Sequence, residues 1–123
     1  MIVGVVTAAR EAVVSLTVRG PRGRAQEVQA VIDTGFDGSL TLPARLIAAL
    51  ELPWRRRGRS LLADGSESVC DIYEGTVIWD GKPRRIAVDE VDVVPLIGMS
   101  LLYGYELTVQ VVEGGSVVIK PLA

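Results

Sequence analysis

One carboxylate at the end of an apolar run sets the chemistry open to this chain. Ala30-Val31-Ile32-Asp33-Thr34-Gly35 leads from apolar residues into an acid, a small hydroxyl and a glycine, and Phe36-Asp37-Gly38-Ser39 leads on to another apolar run. An acid at a strand end is presented at the rim of a sheet. Thr34 has a hydroxyl that can bond neighbouring backbone, and Gly35, lacking a Cβ, lets backbone or ligand come close. The chain contains no histidine, which removes Ser-His-Asp and Cys-His nucleophiles and imidazole metal sites. Acid/base work falls to carboxylates or lysine.

Two plainer readings compete for Asp33. Asp, Gly, Asp and Gly dominate ordinary turns, so the segment by itself fits a simple connection between strands. Asp33, Asp37 and Gly38 also match three positions of a calcium-binding EF-hand loop. That loop requires a closing glutamate where Ala44 stands and helices where strands are expected, so it is set aside, and no metal or cofactor is expected.

The elements that must position Asp33 read as β. The 123 residues are 49% apolar and 23% charged, which fits one globular domain spanning the chain. Valine-rich stretches separated by Gly, Asp and Pro predict an all-β fold: strands near Ile2 to Thr7, Ala12 to Arg19, Glu27 to Asp33, Leu40 to Leu42, Trp54 to Leu62, Ser68 to Trp79, Pro83 to Val88, Val93 to Leu96, Leu107 to Val112 and Val117 to Lys120. Short helices are expected over Pro43 to Leu50 and Met99 to Tyr103, the first opened by a proline and the second stopped by Gly104. Turns are expected at Gly20-Pro21, Asp64-Gly65, Asp80-Gly81 and Gly114-Gly115.

Charge and cysteine usage narrow the partners. A formal charge of -2 provides no basic field for nucleic acid, and the run Arg55, Arg56, Arg57 and Arg59 alternates between the two faces of a strand. The single cysteine, Cys70, has no partner for an internal disulfide. The start, Met1 to Ala12, lacks a secretory pattern, and no apolar run reaches membrane length. A cytoplasmic protein without membrane or nucleic-acid partners is the expectation.

Asp-Thr-Gly followed by three further segments in order resembles the retropepsin-like (retroviral-type) aspartic protease family over nearly the whole chain. Phe36 to Leu42 continues the family's catalytic loop into a strand, with Asp37 at a position that commonly bears an Asp facing substrate backbone. Leu61-Leu62-Ala63-Asp64-Gly65-Ser66 is similar to the glycine-tipped hairpin that serves as a flap. Pro95-Leu96-Ile97-Gly98 is similar to the apolar-apolar-Gly element before a short helix, where glycine lets the catalytic loop pass. The first 25 residues match only as strands.

The resemblance implies a closed acid-protease β-barrel and an aspartic endopeptidase. Relatives with both aspartates in one chain are about twice as long, so one Asp-Thr-Gly per chain implies a symmetric homodimer, built partly from the terminal strands Met1 to Val6 and Val117 to Ala123. Two Asp33 carboxyls would share a proton and activate a water against a peptide or protein substrate. Thr34 would lock the two loops together and Gly35 would leave room for substrate. Asp64, Gly65 and Ser66 would close over the peptide, and Phe36, Ile97 and Gly98 would line the cleft beside Asp37. Two alternatives stand beside it: a catalytically silent peptide-binding module of the same fold, and an unrelated small barrel that happens to carry Asp-Thr-Gly.

Overall fold

Alternation of valine and leucine with polar residues generates most of the molecule. In the computed structural model, which describes residues 1–61 and 64–123, ten strands and two short helices follow in the order β1 (Ile2–Val6), β2 (Ala12–Arg19), β3 (Ala25–Ile32), β4 (Leu40–Leu42), α1 (Ala44–Ala49), β5 (Trp54–Leu61), β6 (Glu67–Trp79), β7 (Lys82–Glu90), β8 (Leu96–Ile97), α2 (Met99–Leu102), β9 (Tyr105–Val109) and β10 (Ser116–Pro121). In β2, Val14, Leu16 and Val18 point inward while Ser15 and Arg19 face water, the period-2 pattern of a sheet with one wet face. Among the described residues no helix is long and apolar enough to cross a membrane.

The strands form one sheet in the order β5-β6-β7-β4-β8-β3-β2-β1-β10-β9, with a further pairing between β6 and β2. The expected closed barrel is corrected here: the sheet is single and not closed into a regular barrel. Its return contact is only Val18 opposite Val77 and Arg19 opposite Thr76, and β8 supplies two residues. Such short pairings cannot carry an even barrel wall, and β5 and β9 remain as edges.

The core lies between the layers this sheet makes by folding over itself. Leu40, Leu42, Val77, Val88, Ile97, Leu101, Val117 and Ile119 are essentially inaccessible to water, each contributing about 1.5–3 kcal/mol of burial free energy. Leu46 and Ile47 seat α1 against this core. Pro43 stands just outside α1 in extended backbone rather than within its first turn. Asp80 and Gly81, both at positive φ, make the tight turn between β6 and β7 that the sequence predicts.

Two strand expectations move. Val93 and Val94 are exposed and only Leu96–Ile97 pairs, because Pro95 has no N–H to give a ladder and Val93 N–H turns back to the Val91 carbonyl. The ninth strand ends at Val109, leaving Val111 and Val112 in an exposed turn closed by Gly115 N–H to the Val112 carbonyl. The terminal strands pair with each other inside the chain, Ile2 opposite Ile119 through Val5 opposite Ser116. With β1 between β2 and β10, and β10 between β1 and β9, neither is a sheet edge.

Candidate active site

Asp33 follows directly on β3, and the chain beneath it is pinned by its parallel neighbour. Val31 pairs with Leu96 and Ile32 with Ile97; Val31 N–H donates to the Pro95 carbonyl and Asp33 N–H to the Ile97 carbonyl, both at 2.9 Å. The half-buried Asp33 is oriented by its own loop: Gly35 N–H donates to Asp33 Oδ1 at 2.9 Å, and Phe36 N–H donates to the Asp33 carbonyl at 3.1 Å. This is an Asx-type turn, with one carboxylate oxygen held by backbone.

The Gly98 segment cradles the other side of the loop. Gly98 N–H donates to Ser39 carbonyl at 3.0 Å, Met99 N–H to Phe36 carbonyl at 2.8 Å and Ser100 N–H to Gly38 carbonyl at 3.0 Å. Ser100 Oγ adds a 2.5 Å bond to the Asp37 carbonyl. A Cβ on Gly98 would stand 2.2 Å from Gly38 O and 2.5 Å from the Phe36 ring, so only glycine permits this approach. The close passage expected at Gly98 is therefore present.

The expected site residues divide into groups. Asp33, Thr34, Gly35, Phe36, Asp37 and Gly98 are joined in this one loop assembly. Ile97 is fully buried in the core, which corrects its expected role as a pocket wall: it contributes its carbonyl. Asp37 is exposed and uses its carbonyl in the cradle. Asp64, Gly65 and Ser66 belong to the separate β5–β6 hairpin, where Leu61 lies opposite Glu67. There Asp64 Oδ1 accepts from Ser66 N–H at 2.9 Å and Ser66 Oγ at 2.5 Å, which lowers the Asp64 pKa, and Gly65 has φ 86°. Leu62 and Ala63 of the expected flap lie outside the described residues.

Three contributors were not singled out from the sequence. Ser100 ties the two halves of the cradle. Thr41, 2% exposed, accepts Leu96 N–H on Oγ1 at 2.9 Å and so holds β8 beneath Asp33; a lone hydroxyl in Leu40-Thr41-Leu42 was the available signal. Asp89 is half-buried on β7, opposite Ile72 and Thr41. Burial raises its pKa, the Arg56 guanidinium pulls it down, and the Asp37 charge raises it further.

A raised folded-state pKa means that the fold holds this proton more tightly than the unfolded chain does. The stabilisation is present at acid pH and is lost as pH rises from the ordinary carboxylate range through the raised value. Urea midpoints measured from about pH 4 to about pH 7 are expected to fall less steeply in Asp89→Asn than in the parent.

Thr34 is exposed and lies in two adjoining grooves. One, about 430 Å³, is lined by Met99, Leu102, Tyr103, Tyr105, Leu107 and Leu122 among others, none of them charged. The other, about 300 Å³, runs past Ile32, Leu107, Val109 and Val111 and is also lined by Arg10 and Glu11. Met99, Tyr103, Val111 and Leu122 are all exposed, Tyr103 at 85%. The hydroxyl beside the candidate catalytic acid is thus set in an open apolar face. No family model matches the chain, and no curated protein matches it.

Proposed function

We propose that the chain is an aspartic endopeptidase of the retropepsin-like kind, active as a homodimer in which two Asp33 carboxyls act on one peptide bond. The observation that carries this reading is the Asp33 loop itself. Its acid is accessible at a strand end, one oxygen is held by Gly35 N–H, and the loop rests on a glycine that no larger residue can replace. In the pair, the ionised carboxyl takes a proton from a water lying between them and the protonated one polarises the scissile carbonyl. No other residue need ionise.

The face around Thr34 supports the dimer. A monomer seldom leaves so many large apolar side chains in one exposed stretch, and a two-fold axis beside Thr34 would cover Met99, Tyr103 and Leu122 while bringing the two acids together. This seam does not require the terminal strands to exchange, since both already lie inside the sheet. Asp64 to Ser66, at the tip of a long two-stranded hairpin, would close over an extended substrate and exclude water.

A peptide library incubated in mildly acidic buffer tests the activity. Cleavage that a pepstatin-type inhibitor blocks is expected; no cleavage at any pH, with a dimer present in solution, would leave the silent peptide-binding module as the better reading. Sedimentation tests the seam: Tyr103→Glu is expected to weaken dimerisation by about tenfold or more without lowering the unfolding midpoint, because the ring is exposed in the single chain.

A further inference from the structure

Away from the Asp33 loop, three strands bring two arginines and a threonine into register. Arg19 of β2 lies opposite Thr76 of β6, and Thr76 lies opposite Arg85 of β7. Cross-strand partners project from the same face, so two guanidinium groups flank one hydroxyl from α-carbons roughly 10 Å apart. Both arginines are exposed, and neither joins an ion pair among the described residues, whereas Arg22 and Arg24 share Glu51 and Arg57 meets Asp71. Arg55 stands beside them, tied to Glu74 at 2.6 Å. With Arg56 beside Arg55, the face sets four guanidinium groups against the one carboxylate of Glu74, in a chain whose formal net charge is -2.

Two shallow depressions of about 230 and 240 Å³ meet here and share Glu74 and Arg85. Pro21 and Pro53 wall the first and Ile72 and Ala87 the second, so apolar surface lies between the charges. We propose that this face docks an acidic stretch of polypeptide, with Arg19 and Arg85 taking its carboxylates and the Thr76 hydroxyl donating between them. Donors spread over such a span suit carboxylates on an extended chain, whose same-face side chains recur roughly every 6.5 Å, better than one small ion on which donors must converge. The net negative charge of the protein opposes a long polyanion such as nucleic acid. Recognition here does not depend on hydrolysis at Asp33, and it would give a protein substrate or partner a second point of attachment.

The test is fluorescence anisotropy of a labelled hexaglutamate peptide at low salt, against the full chain and its Arg19→Ala/Arg85→Ala variant. Saturable binding that weakens about tenfold in the variant, and weakens again as salt is raised, is the expected result. Equal binding by both proteins, or none by the parent, overturns the proposal. Inorganic phosphate displacing the peptide at its own low concentration would make this a small-anion site, and a tighter-binding oligothymidylate would make it a nucleic-acid surface; either outcome also overturns it. Unchanged urea midpoints confirm that the variant is folded, and peptide cleavage measured in parallel separates failure here from failure of the protease reading.

Discussion

Asp33→Asn is expected to lower kcat/KM for peptide cleavage by on the order of 10³-fold or more, the scale of losing an acid/base group from the transition state. The fold is not expected to change with it. Among the described residues the Asp33 side chain accepts one hydrogen bond, from Gly35 N–H, and an amide oxygen accepts that bond as well as a carboxylate oxygen does. Initial rates on a library-derived peptide, together with unfolding midpoints and solution mass, separate the outcomes. Lost cleavage with unchanged stability and an intact dimer places the chemistry at Asp33. Unchanged cleavage sinks the protease reading.

Gly98→Ala is expected to destabilise the protein by about 2–4 kcal/mol, at the upper end for overpacking, lowering the thermal midpoint by roughly 10 °C and removing cleavage with it. The added Cβ would lie 2.2 Å from Gly38 O and 2.7 Å from Phe36 O. Both oxygens are backbone carbonyls that already accept hydrogen bonds from Ser100 and Met99, so no rotamer change can relieve the contact. The loop would have to lift away from its cradle and carry Asp33 with it. Gly65→Ala is the matched control. Gly65 has φ 86° but open space around it, so its cost is the backbone term alone, about 1 kcal/mol. A differential scan that ranks the two in the opposite order would refute the cradle.

How much of this was legible in the sequence depended on whether the cause was local. The Asp80-Gly81 turn, the inward alternation of Val14, Leu16 and Val18, and the helix over Ala44–Ala49 each follow from neighbours a few residues apart. Gly98 was legible by its place after Leu96 and Ile97, and its contact with the Phe36 to Gly38 backbone agrees. Ile97 misled, because an apolar residue beside a site can equally be core, and only the parallel pairing with Ile32 decides. Val93 and Val94 have strand character, yet Pro95 denies them a ladder. Thr41 and Ser100 act across separations of 55 and 63 residues and Asp89 answers to charges on two other segments, and no spacing rule connects Thr41 with Leu96. The openness of the sheet was equally hidden, since it depends on how few residues β2 and β6 share.

The exposed apolar face also accounts for what composition alone left open. Tyr103, Val111 and Leu122 all lie far along the sequence from Thr34 and gather around it only in the fold. Their exposure costs solubility in a lone chain. Covered by a second copy, the same side chains would supply the free energy that holds two acids close enough to share one proton.

Mixing wild-type and Asp33→Asn chains tests most directly whether two Asp33 residues make one centre. At constant wild-type concentration, random pairing predicts that activity falls to about half with an equal amount of the variant and to about a quarter with a threefold excess, because mixed dimers hold a single acid. Activity that stays constant as variant is added, after the chains have been given time to exchange, would show that one Asp33 suffices and would contradict the paired-acid account.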